Sequence, residues 1–430
     1  MSTPTAIHQL TDHLFRHESG KMIAVLTNIF GLANLETAED VVQQTFITAI
    51  EIWRLKGIPE NPAAWLMQVA KRKTIDQLRK SKFAVQYDFS SNERKLLTSE
   101  YTMHSVLETY WQEQPIKDDM LRMMYSCCTP DLSPDFQITL ILKTLCGFSI
   151  AEIAHALLSN EETISKRLQR AKHHFRNKAT FLQLPLPSEL HEKTAIVLNC
   201  IYLLFNEGYH ASSHTSLIRE DLMQEALLLG KLLAENPLTA LPEVNALMAL
   251  MCFHASRSES RLTKEGAIIL LHEQDRTLWN NELIDLGKAY MHKATVGEHL
   301  SAYHIEAAIA FEHCSAKTFE LTNWSNLLRL YDWLIKIDHN PINFLNRAIV
   351  LLQLEGPQPT AAYLAKYPNQ NALQQLSLYF HVLAEIDCIT KDSTKALHHY
   401  NRALALSTSK AEQQLIQKKI IRLQQKQQVE

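Results

Sequence analysis

Apolar residues recur at helical spacing through most of the chain. They fill residues 8–30, and a second run over 39–50 continues to place Val42, Phe46, Ala49 and Trp53 on one side, so two amphipathic helices are predicted. Gly57-Ile58-Pro59-Glu60-Asn61-Pro62 breaks the pattern, and Pro62 suits the first turn of a third helix reaching about Ser81. Leu66, Val69, Ala70, Ile75 and Leu78 form its apolar face, with Gln68, Lys71, Arg72 and Arg79 expected on the rest of its surface. Over 83–116 the periodicity fades into polar and acidic sequence, weakest at Ser90-Ser91-Asn92. This segment reads as a linker carrying one short helix over 101–110. A second helical unit is expected over 117–184, with Pro130 and Pro134 punctuating two helix starts. Pro185 and Pro187 then stop any helix.

From 188 to 430 amphipathic segments follow one another across short Gly, Pro or Asn breaks. Near the end, Phe380, Leu383 and Ala384, then Ala396, Tyr400 and Ala403, fit the small/large pattern of a tetratricopeptide helix pair, although Asp387 stands where an aromatic is usual. Phe344 and Ala348 fit a more degenerate earlier unit. Glycine supplies only 10 of 430 residues, too few for sheets joined by many tight turns. The fold class expected is all-α: two small helical domains (1–82 and 117–184) joined by a linker, followed by a C-terminal TPR-like helical array (188–430).

The formal net charge is −3 and by itself implies no nucleic-acid partner. Its distribution does. Residues 65–82 carry six basic and one acidic side chain, and 163–178 carry six basic and none acidic, inside an otherwise acidic N-terminal half. Positive charge concentrated in this way is placed where phosphates lie. The first residues lack a basic segment followed by an apolar one, and no run of 18 apolar residues occurs, so a cytoplasmic protein with no membrane partner is expected. Seven scattered cysteines are an odd number and read as mostly buried thiols.

The sharpest local signal is Ser149 to Leu157, a break, then Glu161 to Lys172. A helix-turn-helix needs a small residue where its helices cross and apolar residues pinning the second helix, and Ala154, Leu157, Ile164 and Leu168 meet those needs. Ser165, Lys166 and Gln169 are then exposed, with Arg167, Arg170 and Lys172 at the flanks to meet phosphates. An ordinary helical hairpin with a solvated face is the alternative, but such a face usually carries mixed charge. In the other basic segment, Lys71, Arg72 and Lys73 follow Trp65, with Trp53 upstream. That arrangement suits a strand with an unstacked base, or simply two core tryptophans. His13 and His17 lie one helical turn apart with no third ligand near in sequence. No phosphate loop, nucleophile elbow or metal motif occurs, so no catalytic residue, metal or cofactor is expected.

Glu39-Asp40-Val41-Val42-Gln43-Gln44-Thr45-Phe46, then Pro62-Ala63-Ala64-Trp65-Leu66, Ile75-Asp76-Gln77-Leu78-Arg79 and the helix-turn-helix ending Arg167-Leu168-Gln169-Arg170-Ala171-Lys172 resemble an extracytoplasmic-function (ECF) sigma factor of bacterial RNA polymerase. Tyr202-Leu203-Leu204-Phe205-Asn206-Glu207-Gly208-Tyr209, Glu273-Gln274-Asp275-Arg276 with Trp279, and Leu345-Asn346-Arg347-Ala348 resemble the subgroup with a tetratricopeptide-like C-terminal extension. The resemblance implies a non-enzymatic subunit that binds core RNA polymerase and promoter DNA. Asp40, Gln43 and Phe46 would dock on the clamp coiled coil, and Trp65, Val69, Lys71 and Arg72 would open the −10 element. Ser165, Lys166, Arg167, Gln169 and Arg170 would read the −35 element, and the extension would modulate activity or take a regulatory protein. Leu158 stands where many helix-turn-helix units have glycine, and the subgroup's Cys-Cys-His-Pro run here reads Cys127-Cys128-Thr129-Pro130, which puts a metal site in doubt. The rival reading is a ligand- or partner-responsive helix-turn-helix regulator that is not a sigma subunit, which leaves the first 80 residues without a task. A helical scaffold with no nucleic-acid role would make both basic segments accidental.

Overall fold

The computed structural model describes residues 4–80, 110–157, 159–176, 182–209, 218–263, 267–297, 299–407 and 410–429. Among these the protein is all-α, with one isolated antiparallel bridge, Leu262 to Ile268, and no strand. Nearly all of the expected linker, including Ser90-Ser91-Asn92 and the helix over 101–110 apart from Tyr110, lies outside the described residues.

Two compact units divide the chain: Met1–Glu207 with Gln224–Thr239, and Gly208–Met223 with Ala240–Glu430. The first unit opens with α1 (Pro4–Phe30), α2 (Leu35–Lys56) and α3 (Pro62–Lys80). Gly31 ends α1 at φ +83°, a conformation glycine adopts without the Cβ penalty of other residues. Val42, Phe46, Ala49 and Trp53 form the buried face of α2, as their spacing predicts. Four more helices follow: α4 (Glu113–Ser126), α5 (Pro134–Thr144), α6 (Ile150–Ala156) and α7 (Glu161–Arg176). Pro134 starts α5 as expected, but Pro130 starts no helix. It sits in a loop gathered by the buried Gln137 amide, which donates to the Thr129 and Leu132 carbonyls at 2.7 and 2.5 Å.

The two helical domains expected from the sequence do not stand apart. α1 packs on α2 and α3 and also on α4 and α5. Six consecutive residues, Met22 to Thr27, are therefore buried, which a helix covered on one side does not show. Gly20 makes this approach possible, because a Cβ there would lie 2.2 Å from the Leu145 carbonyl oxygen. Helix α8 (Leu190–Tyr209) belongs to the first unit up to Glu207, and Tyr125 of α4 shares a buried 2.8 Å hydrogen bond with Thr194. The physical unit thus runs past the Pro185/Pro187 break and also takes α9 (Glu220–Glu235) from Gln224 onward.

In the second unit, α10 (Pro242–Ala255) is buried on all sides between α11 (Asn281–Ala294) and α12 (Ala302–Ser315). The array continues through α13 (Trp324–Ile337), α14 (Pro341–Glu355), α15 (Pro357–Ala365), α16 (Gln370–Leu373), α17 (Ser377–Ile389), α18 (Ser393–Leu406) and α19 (Lys410–Val429), largely neighbour on neighbour. Ala384, Ala396, Tyr400 and Ala403 are buried where α17 and α18 meet. Asp387 bonds His399 at 2.6 Å instead of packing as an aromatic would.

Candidate nucleic-acid interface

The helix-turn-helix is set by its caps. Ser149 accepts the Glu152 backbone N–H while the Glu152 carboxylate accepts that of Ser149, a reciprocal cap that fixes the start of α6. Asn160 caps α7 through the Thr163 N–H at 2.8 Å. Leu158 lies outside the described residues. Ile164, Leu168, Ala171 and Phe175 recur at helical spacing and are buried. Helical geometry then turns Ser165, Lys166, Gln169, Arg170 and His173 outward, and all five are exposed. Two expected contacts are drawn into the protein. Arg167 is half-buried against Asp135 of α5 at 2.8 Å, and Lys172 bonds Glu39 of α2 at 2.5 Å. Lys166 stays exposed beside Glu162, 2.6 Å away and one turn earlier.

On α3, the Asn61 side chain accepts the Ala64 N–H at 3.0 Å, and Gly57 at φ +83° lets the 57–61 loop leave α2. Trp65, Val69 and Arg72 share one side of the helix: the first two are half-buried and Arg72 is exposed. Trp53 is buried, its ring centroid 5.4 Å from that of Trp65, so one tryptophan is core and the other is a partly accessible platform above it. Lys71 departs from its expected surface position. It is only 4% exposed, on the inner side of α3 with Ala70 and Thr74, and cannot present its ammonium to a strand. The side chains of Arg79 and Lys80 lie outside those described.

On α2, Asp40 and Gln43 are exposed, whereas Phe46 is buried, its ring edge-on to Phe15 at 5.0 Å. Phe46 therefore holds α2 against α1 and offers no ring to a partner. Ile47 and Leu55, 54% and 86% exposed, lie on the outer side with Asp40, Gln43 and Gln44. They interrupt the apolar period of α2, a signal the sequence already carried.

Cys127 and Cys128 are buried, and burial pushes the Cys128 thiol up to about 12. Among the described residues no group of three or more His, Cys, Asp or Glu is placed to hold an ion. His17 faces Glu225 at 3.2 Å. Two arginines of the extension's polar motifs are engaged within the second unit. Arg276 donates to the His313 and Ala316 carbonyls at the end of α12 and stacks on Trp279 at 4.5 Å, while Arg347 bonds Asp332 at 2.6 Å.

With this geometry in place, comparison with known proteins defines the class. Residues 14–83, which span most of α1 and all of α2 and α3, match sigma-70 region 2, and residues 193–295 match a family of unknown function (DUF6596). The chain therefore carries a sigma-70 region 2 domain, which supports a place in a family that acts in transcription initiation. An uncharacterized protein of Rhizobium meliloti (strain 1021) is 32% identical over 382 residues, covering 88% of each chain, and the chain belongs to the same family as that protein. No solved structure gives a significant match. Among the described residues no helix is long and apolar enough to cross a membrane.

Proposed function

We propose that the chain is a sigma factor of the ECF class that binds core RNA polymerase and directs it to promoters whose −10 and −35 elements are read by α3 and α7. The observation that carries this reading is the region 2 match over α1 to α3 beside a capped helix-turn-helix in the same compact unit. Asp40 and Gln43, with Ile47 one turn further along the outer side of α2, form the polymerase-docking stripe, and Phe46 positions it. Trp65, Val69 and Arg72 meet the −10 strand. Ser165, Lys166 and Gln169 face base edges, with Arg170 on phosphate. The C-terminal array is read as TPR-like and as the surface through which activity is modulated, in cis or by a regulatory protein.

Run-off transcription with purified core polymerase tests the reading. Transcripts that start at discrete sites only when the chain is added are expected. Absence of such transcripts, together with tight sequence-specific duplex binding by the free chain in moderate salt, would favour a conventional helix-turn-helix regulator instead.

A further inference from the structure

Arg257 and Arg276 of the second unit lie over one indole, their guanidinium carbons 5.8 and 4.5 Å from the ring centroid of Trp279. Trp279 is 4% exposed and Arg257 8%, and the indole N–H fixes the ring by donating to Ser260 Oγ at 2.9 Å. Arg257 follows the end of α10, and Arg276 precedes α11 while reaching the end of α12, so the segment between α10 and α11 brings both charges to one place. Neither arginine has an ion-pair partner among the described residues. Arg257 meets the His254 Nδ1 atom at 3.0 Å, and Arg276 gives one nitrogen to the two carbonyls of α12. These contacts leave Arg257 Nε and Arg276 Nη2 buried with no hydrogen-bond partner, and His313 Nδ1 is in the same state. Burial and the two guanidiniums push His313 down to about 3, so its ring is neutral and adds no charge. Arg261, bonded to the Tyr209 carbonyl at 2.7 Å, adds positive potential on the Arg257 side. Glu320 is exposed, bonded to Thr318, and acts on Arg276 only from a distance.

We propose that this cluster is a binding site for the phosphate group of a small-molecule ligand. A helix cap and a stacked cation account for the bonds that are made, but not for two charged groups gathered with donors left over. Like charges repel strongly away from water, and a buried donor without a partner costs the free energy of its lost hydration. An anion between the two guanidiniums removes both penalties. Phosphate suits the site better than a carboxylate, because the excess is at least two positive charges and a phosphate ester carries about −1.5 to −2 at pH 7. Its oxygens accept from Arg257 Nε and Arg276 Nη2, and the planar guanidinium fork matches phosphate geometry. The half-buried Arg276 and the exposed Thr277 and Leu278 form the side open to an entering ligand. Once bound, the phosphate ties the end of α10 to that of α12. The site lies wholly in the second unit and does not rest on the promoter-reading roles of α3 and α7, so run-off transcription and phosphate binding fail or succeed separately.

Calorimetric titration of the full chain with inorganic phosphate and, separately, with glycerol phosphate at constant ionic strength tests the site. One saturable site per chain is expected, and acetate should give no binding heat. Tighter binding of the ester assigns the site to a phosphorylated metabolite and tighter binding of inorganic phosphate to the free ion, and either result supports the proposal. Arg276→Lys keeps the charge but loses the fork, and should weaken binding about tenfold. The unaltered chain offers a second measurement that needs no variant to fold. Phenylglyoxal modifies guanidinium groups, and phosphate should slow its reaction at Arg276 while leaving the exposed Arg329 unaffected, as followed by peptide mapping. Phosphate also stabilises folded proteins through exclusion from their surface, so a melting temperature raised equally in parent and Arg276→Lys would reveal that effect alone and overturn the proposal. Acetate binding as tightly as phosphate, or no protection of Arg276, would overturn it as well.

Discussion

Arg16 of α1 donates to Glu152 of α6 across 2.8 Å, so the first helix of region 2 secures the cap of the helix-turn-helix. Burial works to raise the Glu152 pKa, but its bonds to Ser149 and the Arg16 guanidinium outweigh it and bring the carboxyl down to about 2 from an ordinary 4.5. Glu152 is 3% exposed, so solvent screens this little. A lowered carboxyl stabilises the fold fully above pH 4.5, and its contribution, about 3 kcal/mol, is lost as pH falls toward 2. Hydrogen exchange across 150–156 should accelerate over that interval. In Glu152→Gln the same segment should exchange faster at neutral pH and show little further change on acidification.

Asp119 of α4 carries the opposite sign. Burial raises its carboxyl to about 6 despite the Asn28 amide at 2.8 Å and nearby Arg122, and one of its oxygens is buried without a hydrogen-bond partner. A raised carboxyl costs stability as pH climbs from about 4 through 6. Asp119→Asn should therefore raise the melting temperature at pH 7.5, worth about 1–3 kcal/mol, with the gain vanishing near pH 4. A gain of equal size at both pH values would point to packing as its source.

Phe46 and Ile47 are neighbours with different tasks. Phe46→Ala removes a ring that is 4% exposed and should cost about 3–5 kcal/mol in thermal unfolding. Ile47→Ala alters an exposed residue and should leave the melting curve within about 0.5 kcal/mol of the parent while weakening polymerase binding. Titration of each variant against core polymerase distinguishes loss of the helix from loss of a contact.

On α7, Gln169→Ala should change base preference in the −35 element by roughly 1–3 kcal/mol, whereas Arg170→Ala should weaken all promoters alike and flatten the salt slope by about 1. Selection from a randomised −35 library reads both effects. Equal, sequence-independent losses from the two variants would misplace the reading face.

A chain ending at Leu184 removes α8, whose Val197, Leu198, Ile201, Leu204 and Phe205 are at most 1% exposed, and the 224–239 segment that shares the first unit. That fragment should aggregate or melt without a cooperative transition. A chain ending at Thr239 keeps the whole unit and should melt cooperatively by circular dichroism. Cooperative folding of the shorter fragment would place the boundary back at the two prolines.

Helix content, the Pro62 and Pro134 starts and the buried positions of Ile164 and Leu168 were legible in the sequence, because each depends on residues within a few positions of one another. The region 2 helices and the outward position of Gln169 and Arg170 followed from the same periodicity. Which charges remain free depended on residues far apart in the chain. Lys71 is buried, Arg167 is bound to Asp135, and Lys172 and Arg176 are neutralised by Glu39 and Glu36 from 133 and 140 positions away. Nor does periodicity reveal that α1 is enclosed on all sides over Met22 to Thr27, or that α8 completes the first unit beyond the proline break. A repeat of apolar residues determines that a helix has a face to bury. Only the packing of the whole chain determines what covers that face and which distant charge lands beside it.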